Sequence, residues 1–283
     1  MKKILSFLLA SVLILPLSAC SSNNGSTSGE SSNTNSSTTE KSDSSDVLKV
    51  GASPRPHTEI LEFIKPKLEE KGVKLDIIEF TDYVTPNLAL NDKEIDANFF
   101  QHVPYMESFA KDHNLDLVSV GTIHVEPLGL YSSKIDSIDT LPDGATIAIP
   151  NDPTNGGRSL ILLENNDLIK LKKDAGLEAT SKDIAENPKN LKFKEIDAAQ
   201  IPRVLPDVDA AVINVNYILE TDLDPAKDAL IIEGSESPYA NIVTTRPDNK
   251  DSGKIKTLIE VLQSEDVKNF ISETYKGIVV PAF

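Results

Sequence analysis

The sequence predicts an α/β fold of two similar lobes that share a cleft. Three observations carry this. Short apolar runs of strand length alternate with helix-period stretches from Val47 to Asn214. The order of strand, helix and strand recurs in two halves. Two strands, one in each half, begin Asp-Ala and turn from apolar to polar or aromatic at the far end: Asp96-Ala97 runs into Asn98 and Phe100, and Asp209-Ala210 into Asn214. Alternating strands and helices imply mainly parallel sheet. Ligands of open α/β sheets lie beyond the carboxyl ends of the strands, so two such lobes would face a common cleft.

The elements follow in order. Val47 to Gly51 reads as a strand closed by a glycine turn. His57 to Lys71 has Ile60, Leu61, Ile64 and Leu68 on one helical face, with Pro66 expected to kink or restart the helix. Lys74 to Glu79 is a strand, Thr85 to Leu90 a short helix, and Ile95 to Phe100 and Leu115 to Gly121 are strands. A second unit starts after Tyr131. Thr146 to Pro150 is a buried strand, and Arg158 to Lys170 a helix with Leu160, Ile161, Leu163 and Leu168 apolar. Leu191 to Ile196 is a strand, Gln200 to Leu205 a short helix and Asp209 to Asn214 a strand.

The first 46 residues read differently. Met1-Lys2-Lys3 is basic, Ile4 to Leu17 is mostly apolar, and Leu17-Ser18-Ala19-Cys20 closes the run with small residues and the only cysteine of the chain. These are the regions of a secretory signal, and the apolar part is shorter than the roughly 20 residues of a membrane span. The run resembles a bacterial lipobox, which implies a signal peptide over residues 1–19 and lipidation of Cys20. Residues 21–46 contain no aliphatic or aromatic side chain. Such a segment cannot offset its ordering entropy and reads as a tether with a span of roughly 28 Å.

With one cysteine the fold has no intramolecular disulfide and must rely on its core. The formal charge of −16 becomes −18 if Lys2 and Lys3 are removed. A surface this acidic argues against nucleic acid as a partner and against a direct grip on anionic lipid. Membrane attachment would be through lipid alone.

The run from Pro150 to Ser159, Pro-Asn-Asp-Pro-Thr-Asn-Gly-Gly-Arg-Ser, follows a strand and opens a helix. Asn155 is the expected cap, free N–H groups at a helix start attract anions, and Arg158 adds a fork that matches a carboxylate. No Gly-Lys-Ser/Thr follows, so a nucleotide loop is not supported. By itself the run is either a carboxylate receptor or a plain capped helix with a surface arginine. Further polar strand ends occur at Asn98 to His102, Ala211 to Tyr217 and Glu236 to Val243. An amino acid ligand needs an arginine for its carboxylate, amide or carboxylate oxygens for its ammonium, and an apolar pocket.

Tyr83 to Asn87, Asp96 to His102, Pro150 to Asn155, Gly157 to Ser159 and Glu236 to Tyr239 together resemble the NlpA family, the methionine-binding lipoproteins of ABC importers, and the resemblance runs from about Val47 to Phe283. It implies a periplasmic-binding-protein fold, type II-like, with lobe I over 47–130 and 240–283 and lobe II over 131–239. It implies that Arg158 pairs with the ligand carboxylate, that Asn214 and Asn241 contact the head group, and that Tyr83, Phe100 and His102 line the side-chain pocket. Arg55 departs from the family pattern, in which a small apolar residue is common, and Asn216 is a second departure. Arg55 is either a solvated charge or a contact for a longer ligand, which leaves a methionine dipeptide or another amino acid open beside L-methionine. The implied partners are an ABC permease and its ATPase subunits, reached from the outer face of a bacterial membrane by a lipid-anchored monomer.

Nothing in the chain points to catalysis. Gly-x-Ser-x-Gly and His-Glu-x-x-His are absent. His57, His102, His113 and His124 lack metal-ligand spacing along the sequence. His113 is expected to be solvated and His124, near Glu126-Pro127, to be a hydrogen-bonded structural residue. Asp222-Leu223-Asp224 lacks the glycine and later glutamate of a calcium loop. No metal and no cofactor are expected. A surface lipoprotein that binds another protein is the remaining alternative class.

Overall fold

The computed structural model describes residues 47–234 and 238–283. The signal, the lipidation and the tether expected over residues 1–46, and Glu236 and Ser237, lie outside them. No helix among the described residues is long and apolar enough to cross a membrane.

The chain opens with β1 (Val47–Ala52), α1 (Glu59–Glu70), β2 (Lys74–Glu79), α2 (Thr85–Asn91), β3 (Ala97–His102), α3 (Val103–His113) and β4 (Val118–Val125). It continues with β5 (Gly129–Tyr131), β6 (Thr146–Pro150), α4 (Pro153–Glu164), the small hairpin of β7 (Lys170–Leu171) and β8 (Ile184–Glu186), β9 (Lys192–Ile196), α5 (Ile201–Val204), β10 (Ala210–Ile213), α6 (Val215–Ile218), α7 (Pro225–Asp228) and β11 (Ala229–Ile232). It ends with β12 (Ala240–Thr245), α8 (Gly253–Leu262), α9 (Glu265–Tyr275) and β13 (Val280–Pro281).

Two larger sheets result, with strand orders β13-β4-β12-β3-β1-β2 and β11-β5-β10-β6-β9. Each holds a parallel triplet, β2-β1-β3 or β9-β6-β10. Beside each triplet lies one reversed strand that has just crossed from the other sheet: β12 against β3, and β5 against β10. The sheets are therefore mixed, not mainly parallel. The alternation of strands and helices reports the triplets but not a strand that enters from the other lobe. The repeat of β1-β2-β3 in β6-β9-β10 matches the recurring order seen in the sequence. β5 already pairs in the second sheet, so the first crossing falls at Glu126 to Leu128, and the return lies between Ile232 and Ala240.

Each sheet has its own core. On the first, Leu48, Val50 and Phe99 pack with Ile60, Leu61, Ile64 and Leu68 of α1, Leu258 of α8 and Ile271 of α9. On the second, Leu130, Ile147, Ile149 and Val212 pack with Leu160 and Leu163 of α4. Helix α1 begins two residues later than expected, because a separate turn over Pro54–Thr58 precedes it, with Arg55 extended at φ −130°. Pro66 sits inside α1, which runs on to Glu70.

Helix α4 begins five residues earlier than expected. Its cap is Asp152, whose carboxylate accepts the Asn155 N–H, so Asn155 is a first-turn residue and not the cap. Gly156 and Gly157 thus lie inside the helix. A Cβ on Gly157 would stand 2.2 Å from the Leu177 carbonyl oxygen and 2.8 Å from the Ala179 nitrogen. The glycine is required by close backbone approach, not by a loop.

Candidate ligand-binding site

The polar strand ends meet. β3 ends on Phe100, Gln101 and His102, β10 leads into Asn214, and Asn241, the second residue of β12, lies opposite His102. Tyr83 enters from the loop before α2, and Arg158 from the second turn of α4. Tyr83, Phe100, His102, Arg158, Asn214 and Asn241 line one small cavity, together with Gln101, Tyr105, Glu126, Asn155, Val215 and Asn216.

Arg158 is 3% exposed. Its Nε donates to both Glu233 carboxylate oxygens at 3.1 and 3.2 Å, and one terminal nitrogen donates to the Glu126 carbonyl at 2.8 Å and also to Glu233. Its guanidinium lies 4.3 Å from the Tyr239 ring centroid. A buried charge persists only when paired and hydrogen-bonded, and Glu233 supplies the pair.

A second network links the lobes. Asp152 accepts the Asn155 side-chain amide at 3.0 Å, and Asn155 Oδ1 accepts Asn214 Nδ2 at 2.9 Å. His102 Nδ1 accepts the Tyr105 N–H at 3.2 Å, so its Nε2 carries the proton and faces Asn155 Oδ1 at 3.5 Å. Asn214 Oδ1 is buried without a hydrogen-bond partner, an unused acceptor on the cavity wall. Burial pulls His102 down to about 3, with the Arg158 charge acting in the same direction.

The aromatic wall comes from Tyr83, Phe100 and Tyr105. The Tyr83 ring lies 5.9 Å from each of the other two, and Tyr105 Oη donates to the Tyr83 carbonyl at 2.8 Å. Tyr83 Oη donates to Asn216 Oδ1 at 2.6 Å, between the two lobes.

Sequence reasoning missed a buried cluster beside the cavity. His57 and His124 place Nε2 at 3.2 and 2.7 Å from the same Glu126 oxygen. His57 Nε2 also lies 3.0 Å from Asn241 Oδ1, and its Nδ1 is 2.7 Å from Ser53 Oγ. The three donor atoms lie within 4.8 Å of one another, as a metal-binding set would. The histidines that lack ligand spacing along the chain are thus brought together by β4 and the Pro54–Thr58 turn. Each ligating atom is already engaged in a hydrogen bond, which accounts for the cluster without an ion. Burial pulls His57 down to about 4 and His124 to about 3. Burial raises Glu126, while His57 and Arg158 oppose the rise. The signal in the sequence was His124-Val125-Glu126, read as structural alone.

Arg55 is not in the cavity wall. It forms an ion pair with Glu59 at 2.8 Å and donates to the Leu219 carbonyl at 2.9 Å. Asn216 is in the wall. Asn98 lies behind it, donating to Asn87 Oδ1 at 2.8 Å in a buried amide network with Gln101. His113 is exposed and stacks on Phe109 at 4.1 Å. Asp224 caps α7.

The site can hold a small molecule with an anionic end, hydrogen-bond donors and an apolar part. The NlpA lipoprotein family profile matches residues 48–283. The chain is 42% identical to the methionine-binding lipoprotein MetQ of Bacillus subtilis, over 99% of both chains. It is similar to the structure of a nutrient binding protein from Burkholderia cenocepacia bound to methionine, at 47% identity and TM-score 0.81, covering 83% of this chain and 100% of that one. It is also similar to an ABC transporter periplasmic substrate-binding protein from Coxiella burnetii, at 44% identity and TM-score 0.79, covering 83% and 100%.

Proposed function

The chain belongs to the NlpA lipoprotein family, and from that premise we propose that it captures methionine or a close analogue outside the cell membrane and delivers it to an ABC importer. The observation that carries this reading is Arg158, buried to 3% exposure yet part of the wall that holds Tyr83, Phe100 and His102. In this reading Arg158 takes the ligand carboxylate, Asn214 and Asn241 take the head group, and the aromatic side chains and His102 surround the thioether. A thioether is soft, nearly apolar and favoured against aromatic edges.

In this reading lobe I comprises 47–125 and 240–283 and lobe II 129–239, with Glu126 to Leu128 as the first crossing. The lobes close on the ligand and exclude water, which strengthens the Arg158 contact at low dielectric. The closed monomer docks on the permease, lipid on Cys20 keeps it at the outer face, and residues 21–46 set its reach. ATP is hydrolysed by a separate subunit, and this chain performs no catalysis.

The test is a thermal-shift screen of the full-length protein in detergent, unfolded and refolded to strip carried-over ligand. The ligands are the amino acids, D-methionine and methionine dipeptides. A ligand at about a thousand times its Kd stabilises by roughly 4 kcal/mol, a shift of about 8–16 °C for a chain of this size. A large shift with methionine is expected. A larger shift with a dipeptide or another amino acid moves the substrate, and no shift with any of them overturns the reading in favour of a surface-interaction role.

A further inference from the structure

Arg55 stands outside the cavity wall, yet it is not a free surface charge. It is extended within the Pro54–Thr58 turn, at φ −130° and ψ 140°. Its guanidinium pairs with Glu59 at 2.8 Å, and Glu59 in turn accepts the Tyr275 hydroxyl. Held in this way, its Nη1 donates to the Leu219 carbonyl at 2.9 Å, 164 positions along the chain. Leu219 is the C-cap residue of α6, where a helix cannot satisfy its own carbonyls. Arg55, Glu59 and Tyr275 belong to the first lobe and Leu219 to the second.

Helix α6 is seated on the first lobe by other contacts as well. Val215, 1% exposed, is part of the apolar core that α1, α8 and α9 form on the first sheet, and Leu219 packs against that core. Asn216 accepts the Tyr83 hydroxyl, and Tyr217 Oη donates to the Thr81 carbonyl at 3.4 Å. The opposite end of the same helix belongs to the cavity. Asn214 is its N-cap, and Asn214, Val215 and Asn216 are all in the wall. With four residues α6 is about one turn long, so whatever fixes Leu219 also places Asn214 to Asn216.

We infer that Arg55 is the bolt of an interlobe latch: it positions α6 from outside the cavity, holds the lobes together over a bound molecule, and sets how long that molecule stays without selecting which molecule it is. This role rests on the proposed closure over a ligand and adds to it a residue that the ligand does not touch. The Arg55 bond to Leu219 exists only while the lobes are apposed, so its loss favours the open form and is read in the dissociation rate. A small apolar side chain at this position would leave the seam to the neutral phenol contacts of Tyr83 and Tyr217, which are weaker than a charge-assisted bond.

The test is stopped-flow release of ligand from the full-length protein in detergent, with methionine, norleucine and methionylglycine as probes. The Arg55 side chain is 40% exposed, so the expected factor is that of one net hydrogen bond and not of a buried charge pair. Arg55→Ala should speed release about fivefold, by the same factor for every probe that binds, with the ligand-free unfolding midpoint unchanged. Arg55→Lys keeps a charged donor beside Glu59 and should recover part of the loss. Glu59→Gln loosens the same arginine and should speed release by a smaller factor, and adding it to Arg55→Ala should change nothing further. An unchanged release rate in Arg55→Ala overturns the latch. So does a change confined to methionylglycine, which would make Arg55 a contact for a longer ligand. A lowered unfolding midpoint with an unchanged release rate would reduce Arg55 to a structural residue and overturn the latch too.

Amide exchange reads the seam without a ligand. The Ile218 and Leu219 N–H groups donate to the Asn214 and Val215 carbonyls at 3.2 and 2.9 Å. Their exchange should be about fivefold faster in Arg55→Ala than in wild type, while the amides of β6, in the core of the second sheet, keep their rates. Equal exchange at Ile218 and Leu219 overturns the latch. Wild type that binds none of the three probes overturns the capture reading, and the exchange rates then decide the latch by themselves.

Discussion

Arg158 and Glu233 form an ion pair that ties α4 to the return crossover, and the same guanidinium donates to the Glu126 carbonyl on the outgoing one. One side chain of the second lobe thus grips both segments that join the sheets. Arg158→Ala should abolish tight binding, and it should also destabilise the fold by about 3 kcal/mol, because it strands a largely buried carboxylate. The double variant Arg158→Met, Glu233→Gln should recover most of that stability and none of the binding. Urea denaturation and calorimetry separate the two effects. A wild-type Kd in Arg158→Ala would remove Arg158 from the carboxylate role.

Tyr83 and Asn216 come from different lobes and meet through one hydrogen bond of 2.6 Å. A bond of this kind contributes about 1 kcal/mol net. Tyr83→Phe keeps the ring and should speed ligand dissociation about fivefold, with little change in the unfolding midpoint, since neither core is touched. Stopped-flow release of ligand measures it. An unchanged dissociation rate would mean the bond takes no part in closure.

Gly157→Ala should cost about 2–3 kcal/mol, because its Cβ would press on the backbone of Leu177 and Ala179, which cannot rotate away as a side chain would. Gly253→Ala, with open space around the added carbon, is the control. Equal denaturation midpoints for the two variants would show that the 177–179 segment moves freely.

Acid should weaken the fold before it protonates the ordinary carboxylates. His57, His102 and His124 are pulled from 6.5 to about 4, 3 and 3 by burial. As pH falls below 6.5 the unfolded chain takes up these protons and the native one does not, so stability falls across the window from 6.5 to about 3. Each such proton contributes a slope of about 1.4 kcal/mol per pH unit. Glu126 and Asp152 act in the opposite sense, since burial raises them and the native state binds their protons first. Three imidazoles against two carboxylates leave a net loss on acidification. Urea melts between pH 7 and 4.5 should show it, and His102→Asn should flatten the slope by about one proton. A wild-type stability that holds constant over this range would contradict the buried, neutral imidazoles.

One strand of each sheet was legible to the residue. Lys74–Glu79 and Thr146–Pro150 match their strands residue for residue, because both are bounded by turn residues and have no competing period. The six expected site residues converge in one cavity because most of them sit at strand ends, and strand ends of a parallel triplet share an edge. What escaped was non-local. The reversed strands β5 and β12 follow from which lobe the chain has just left. Helix α4 was started five residues late because Gly156 and Gly157 look like a loop until the Leu177 backbone is laid against them. Helices α3, α8 and α9 were passed over, and with α3 went Tyr105.

By itself the sequence determined the family, the α/β class, the twofold recurrence and the residue types of the candidate site, since these depend on periodicity and on short motifs whose chemistry is local. Only the tertiary structure decided who pairs with whom. It set Glu233 on Arg158, took Arg55 out of the cavity, and brought His57 to Glu126 from 69 positions away in the chain. Those partners come from different lobes, turns and crossovers. Their contacts arise when two sheets close on each other, and no window along the chain contains that information.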